Sequence, residues 1–426
     1  MTFKTENQEA FVWVWPPNEI APIVAGRLAS EGNTLVFNYG RSYLARTDAI
    51  ALYEPELPLR AGAIPLLAGL SMPSCLRDAA PDAWGRRVIL NRKLGQTSAQ
   101  ADTMDLDELT YLLESGSDRI GALDFQRSAV TYSPRMASTA TLVELMNAAK
   151  HVEEGVPLTA ELNAALLHGT SIGGARPKAL VDAGDEKFIA KFSSQSDIYS
   201  VVKAEFIAMK LASAVDIDVA PVLMRRVAGK DVLLIQRFDR QRGEKGWKRR
   251  AMVSALTILG LDEMMARYAS YEDLATEIRH RFAKPKDDLR ELFSRIVFNI
   301  LCGNTDDHAR NHAAFWNGKS LSLTPAYDIC PQSRTGRETG QAMLITGEKR
   351  MSQISLCLEA APTFLLSTSE ATAIAAKQIT TICDRWNAVC KEAGLNSVDK
   401  QLFWRRQFLN PYAFENAPAG LQALVP

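Results

Sequence analysis

Asn304-Thr305-Asp306-Asp307-His308-Ala309-Arg310-Asn311 stands between a long apolar run and a hairpin signal, and its reading decides the fold. Upstream, Leu289, Leu292, Phe293, Ile296, Val297, Ile300 and Leu301 keep helical spacing, and Gly303 sits where a C-terminal cap belongs. Downstream, Ala313 to Trp316 and Leu321 to Leu323 flank Asn317-Gly318, a strong hairpin signal, and Thr324-Pro325-Ala326-Tyr327-Asp328 follows. Phosphoryl transfer needs a carboxylate near the attacking hydroxyl and oxygen ligands that hold Mg²⁺ against the phosphates. Protein kinases place an Asp in a loop, an Asn five positions later, and a second metal-binding Asp after a strand pair. Asp306, Asn311 and Asp328 have that order and spacing, with Asp307 the next candidate for the base. Two other readings compete. A polar loop that caps a helix is also rich in Asp and Asn. A transition-metal hydrolase would join His308 and His312 to Asp306, Asp307 and Asp328. His308 is read here as a residue that packs or hydrogen-bonds to shape the loop beside the nucleotide.

Working towards the N-terminus, Thr170-Ser171-Ile172-Gly173-Gly174-Ala175-Arg176-Pro177-Lys178 is glycine-rich. Adjacent glycines let backbone amides approach anionic oxygens without a Cβ clash. Strands are expected at Ala179 to Asp182 and Lys187 to Phe192, and alternation puts Lys187, Ile189 and Lys191 on one face. A lysine there can meet the α/β-phosphates, and Glu205 on the expected helix Lys203 to Val215 can pair with it as in kinases. A second hairpin, Val222 to Val227 and Val232 to Ile235, leads into Gln236-Arg237-Phe238-Asp239-Arg240, where a hinge would offer backbone atoms to adenine and Phe238 would line the pocket. The basic stretch Arg237 to Arg250, turning at Gly243 to Gly246, is a candidate for docking nucleic acid or an acidic partner.

The remaining chain reads as scaffold. Strands are expected at Phe11 to Trp15 and Thr34 to Tyr39, and helices at Arg77 to Leu90, Met104 to Leu113, within 138–168, and at Ala371 to Ala393. Trp13, Trp15 and Trp84 read as core. With 426 residues, more than one core is expected. Lys+Arg and Asp+Glu are both 49, which argues against a protein that coats nucleic acid. The six cysteines lack metal-ligand spacing and suit reduced thiols in a reducing compartment. No run is long and apolar enough for a membrane helix, so a cytoplasmic protein with no membrane partner is expected.

Taken together, these segments resemble the HipA family of bacterial toxin kinases. Ser171 to Lys178 is similar to the family's phosphate loop, with Arg176-Pro177 in place of the usual Gln-Glu. Gln236 to Arg240 resembles its hinge, Asn304 to Asn311 its catalytic loop, and Pro325 to Asp328 its metal-binding segment. Asp78 to Arg87 and Asp118 to Leu123 resemble two motifs of its N-terminal domain. The resemblance implies an α+β, two-lobed protein-kinase-like fold with the active site between the lobes. Its divisions are an N-terminal subdomain (1–135), a nucleotide lobe (136–250) and a helical catalytic lobe (251–426). It implies ATP and Mg²⁺ as cofactors and Asp306 as base, with Asn311 and Asp328 on the metal and Lys191 on the phosphates. Ile172, Gly173, Gly174, Ala175 and Lys178 would line the phosphates, Gln236 and Phe238 the adenine. Autophosphorylation at Ser171 would shut the kinase off. The implied partners are a small HipB-like helix-turn-helix antitoxin and, through that complex alone, operator DNA. The implied substrate is a translation protein such as an aminoacyl-tRNA synthetase. A catalytically inactive nucleotide-binding corepressor and a small-molecule or lipid kinase are the rival readings.

Overall fold

The computed structural model describes residues 7–94, 106–135, 140–156, 158–159, 162, 166, 170, 172, 174–194, 197–334 and 336–425. Ser171 and Gly173 lie outside the described residues. Contacts divide the chain into two compact units. The first holds Met1–Ser196, Arg225–Val253 and Trp316–Lys319, and the second holds the rest. The expected divisions 1–135 and 136–250 fall mainly in the first unit, and 251–426 mainly in the second.

The first unit carries two antiparallel sheets. One has strand order β4-β3-β2-β1-β5, formed by β1 (Glu9–Val14), β2 (Ile23–Glu31), β3 (Thr34–Tyr39), β4 (Ala63–Ile64) and β5 (Leu123–Gln126). Alternation buries Val12 and Val14 of β1, with Trp13 and Trp15 also in the core. The other has order β6-β7-β9-β8, from β6 (Lys178–Ala183), β7 (Glu186–Phe192), β8 (Val222–Val227) and β9 (Lys230–Gln236). The helix expected over Arg77 to Leu90 is instead two, Ser74–Arg77 and Ala83–Leu94. Apolar spacing runs through the whole stretch, but Pro81 has no N–H to continue a helix. The break has a use. Trp84, fully buried, packs from the second helix with Leu145, Ala149, Phe188, Phe192 and Val232, so one core joins the N-terminal segment to the second sheet.

The second unit is mainly helical. The helix Pro285–Cys302 starts with proline in its first turn and ends at Gly303 in the left-handed region (φ 75°). A Cβ at Gly303 would lie 2.8 Å from the Gln407 carbonyl oxygen, so glycine is required on both counts. The helix Thr368–Glu392 opens with a capping box between Ser367 and Glu370. The hairpin strands Ala313–Trp316 and Leu321–Leu323 are present, with Gly318 at φ 92° in the turn, whose residues Trp316–Lys319 are counted with the first unit. None of the six cysteines forms a disulfide. Among the described residues, no helix is long and apolar enough to cross a membrane.

Candidate active site

In the second unit, the loop after Gly303 is built by its own polar groups. His308 donates its backbone N–H to the Asp306 carbonyl (2.9 Å), and Asn311 donates its own to the His308 carbonyl (2.8 Å). The Asn311 side-chain amide reaches the Asp306 carbonyl at 3.2 Å. That bond uses one N–H of the Asn311 amide and orients the group, with Oδ1 as the atom able to ligate a cation. The Tyr327 hydroxyl donates to the Arg310 carbonyl at 2.7 Å and ties the Asp328 segment to the same loop. Asp328 itself sits at φ 58°, a left-handed conformation uncommon outside glycine and often retained at functional sites. Burial raises the proton affinity of Asp306; His308 opposes this, and the charges of Asp328 and Asp307 add to it.

Asp307 is not a base in waiting. Its Oδ2 accepts from the Asn299 amide at 2.7 Å, from His312 Nε2 at 2.9 Å, and from the Tyr271 hydroxyl. Asn304 extends the network to Asn299 Oδ1 at 3.0 Å. Burial alone would raise the Asp307 carboxyl, but His312 and the Tyr271 hydroxyl hold it below the usual range. With its partners filled and no exposure, it holds the loop on the helices beneath. The hydrolase reading fails on the same geometry. His312 is committed to Asp307, and among the described residues no group of three or more His, Cys, Asp or Glu can hold a metal. One carboxylate and one amide oxygen suit Mg²⁺, which takes few protein ligands and completes its shell with water and phosphate.

In the first unit, the glycine-rich segment is held at Gly174 by the turn that Pro81 creates. The Gly174 N–H donates to Asp82 Oδ2 at 2.5 Å. The Trp84 N–H donates to the Gly174 carbonyl at 3.3 Å, and the Trp84 indole to the Lys178 carbonyl at 3.0 Å. Gly85 has no room for a side chain, since a Cβ there would stand 2.1 Å from the Thr170 carbonyl oxygen. Lys178 and Lys191 are direct cross-strand partners in β6 and β7, so both side chains leave one face of the sheet. Like charges opposed in this way favour an anion beside them. Lys187 shares that face by alternation, but its ammonium is engaged by Asp118 (3.0 Å) and by its cross-strand partner Asp182 (2.9 Å). Ile172 is buried, and Ala175 stands beside Gly174 in the loop. Glu205, in the second unit, is buried on the helix Val201–Ala214.

The hinge segment is more deeply engaged than its sequence suggests. Gln236 bonds Glu186 at 2.9 Å, the Arg237 N–H bonds the Lys187 carbonyl at 2.8 Å, and Phe238 is half-buried. Arg237 and Arg240 are buried and bridge Asp118 to Asp239 at 2.8 to 3.0 Å. Arg249 donates to the Ser117 carbonyl and lies 3.4 Å over the Trp15 ring. Arg237, Arg240 and Arg249, three of the seven cations in the basic stretch, are therefore engaged within the protein. Sequence reasoning flagged Asp118 to Leu123 and Gln236 to Arg240 as separate motifs. Their complementary charges were the signal that they pair. Nothing local marked Asp82 as a partner of the phosphate loop.

The HipA N-terminal domain model matches residues 20–126, and the HipA-like C-terminal domain model matches 170–392. The second match alone spans more than half of the chain. The chain belongs to the HipA family. It is 30% identical over 131 residues to the putative kinase Y4mE of Sinorhizobium fredii, covering 29% of this chain and 31% of that protein. It is 26% identical over 187 residues to the serine/threonine-protein kinase toxin HipA of Shewanella oneidensis, covering 37% of this chain and 42% of that one. The chain thus aligns with a third to a half of the length of these curated relatives. Among solved structures, the Shewanella oneidensis HipA, HipB and operator DNA complex matches with a TM-score of 0.66 over 97% of this chain and 96% of that one, at 17% identity. This establishes the fold as α+β and protein-kinase-like with the HipA N-terminal addition.

Proposed function

We propose that the chain is an ATP- and Mg²⁺-dependent serine/threonine protein kinase. The observation that carries this is the bonding of the catalytic loop. Asn311 is fixed to the Asp306 carbonyl and Tyr327 to the Arg310 carbonyl, so base, amide ligand and Asp328 belong to one braced assembly. Asp306 orients the acceptor hydroxyl and takes its proton as the oxygen attacks the γ-phosphorus, whose bond to the β,γ-bridging oxygen breaks to release ADP. Asn311 Oδ1 and the Asp328 carboxylate would hold Mg²⁺, which when bound would neutralise phosphate charge. Lys191, Lys178 and the loop amides at Gly174 and Ala175 bind the phosphates, and Gln236 and Phe238 border the adenine. Autophosphorylation at Ser171 adds about −1.5 to −2 charge near neutral pH and repels the triphosphate.

The Shewanella relative is named a kinase toxin and is solved with HipB and operator DNA, which supports a HipB-like antitoxin as partner here. The acceptor is a protein of translation, with an aminoacyl-tRNA synthetase the first to test, and the setting is cytoplasmic. Labelled ATP with a bacterial lysate should mark one protein strongly in the presence of wild type and not of Asp306→Asn. Phosphate appearing only on a metabolite or lipid would replace the protein acceptor. Asp328→Ala should raise the Mg²⁺ requirement and weaken Mg-ATP binding in calorimetric titration. Unchanged affinity and turnover would remove Asp328 from the metal site.

A further inference from the structure

The N-terminal subdomain puts a carboxylate on the amide that the phosphate loop offers to nucleotide. Asp82 Oδ2 accepts from the Gly174 N–H at 2.5 Å. Gly174 lies at φ 104°, a conformation that favours glycine and aims this amide out of the ordinary chain path. The Lys178 ammonium lies against the same residue: a Cβ on Gly174 would stand 2.2 Å from Nζ. An amide donor and an ammonium beside the same glycine are the groups an anion seeks. The anion bonded to that amide is the side chain of Asp82.

The other contacts of the same turn differ in kind. Trp84 uses its backbone N–H and its indole, and Gly85 simply leaves room for the Thr170 carbonyl. These neutral contacts to the loop are indifferent to a phosphate. Asp82 is not, because a carboxylate and a phosphate oxygen cannot share one N–H and repel each other.

We propose that Asp82 is a residue of the nucleotide site, contributed by the N-terminal subdomain, which occupies the Gly174 amide and is displaced by the nucleotide phosphates. It lowers affinity for phosphate-bearing ligands and keeps the loop ordered without them. The assignment rests on the kinase reading of the Gly174 loop.

The test is calorimetric titration of the full chain with Mg-ATP, and competition by adenosine, for wild type, Asp82→Asn and Asp82→Ala. Removing one charge a few ångströms from phosphate should tighten Mg-ATP by about three- to tenfold. Adenosine, which has no phosphate, should bind all three proteins alike. A purely bracing role predicts the opposite sign, with weaker ATP binding in both variants. That result, unchanged ATP affinity, or equal shifts for ATP and adenosine would overturn the assignment. Thermal melting without ligand identifies a variant that has lost its fold, and the two substitutions differ enough that one remains to be read. A wild type that binds no Mg-ATP overturns the kinase reading itself. A wild type that binds it while neither variant binds tighter overturns only Asp82.

Discussion

Both units bury carboxylates, and they neutralise them differently. In the first, Asp118 and Asp239 meet the full cations of Arg237, Arg240 and Lys187. In the second, Asp307 meets a phenol, a carboxamide and an imidazole. Cations offset the desolvation of a buried carboxylate only while every member of the cluster remains. Donors that are mostly uncharged each give less, and losing one leaves the carboxylate with the others. The chain positions explain the choice. Asp118 and Arg237 lie 119 positions apart, so the ion cluster fastens remote segments into one scaffold. Asp307 and His312 lie five apart, so that network shapes a single loop next to Asp306.

The sharpest contrast is between neighbours. Asp306→Asn should lower phosphoryl transfer by ~10²–10⁴, the usual worth of a general base, with little change in melting temperature. Near-normal turnover would show that the hydroxyl is oriented by another group.

The ion cluster should govern folding. Asp118→Ala leaves Arg237 and Arg240 buried against a single remaining carboxylate and should cost ~3–5 kcal/mol. Deleting residues 1–135 removes Asp118 and Trp84 together, so 136–426 alone should not fold. Soluble expression and circular dichroism check both. A stable, helical 136–426 fragment would show that the cluster is dispensable.

The Asp307 network should trade less stability for more rate. Asp307→Asn should cost ~1–3 kcal/mol, since one buried acceptor is altered. A displaced loop should cost up to ~10² in kcat, with KM for ATP little changed. Equal loss in both parameters would place the effect on nucleotide binding instead.

What was legible in the sequence follows the same division. The strand Thr34–Tyr39, the cap at Gly303 and the order Asp306, Asn311, Asp328 could be read because each signal is local. The helix over Arg77 to Leu90 was misread because apolar spacing masked the stop at Pro81, the turn that later grips Gly174. The Asp82–Gly174 bond spans 92 positions and the Asp118–Arg237 pair 119, and no periodicity encodes either. Asp307 read as a spare base because its three donors come from two other helices and from beyond the loop.

The smallest effect expected is a difference in acid sensitivity. In the first unit, burial raises the proton affinity of Asp118 and Asp239, but Arg237 and Arg240 outweigh it and hold both carboxyls below the ordinary value. Asp307 is also held low. A carboxyl that is depressed on folding contributes stability fully above its unfolded pKa, about 3.9, and loses it as pH falls towards the folded value. All three should therefore be silent from pH 7 to 5 and destabilising below about pH 4. The consequences of protonation differ. A protonated Asp118 or Asp239 strands buried guanidinium groups, whereas a protonated Asp307 keeps partners that are mostly uncharged. Hydrogen exchange followed by mass spectrometry, labelled at pH 6 and pH 3 and corrected for the intrinsic rate, should show opening first in peptides covering 118–126 and 232–249. Peptides covering 296–312 should open later. Simultaneous opening would mean that the two kinds of buried acid respond alike, and opening of the catalytic loop first would reverse the comparison.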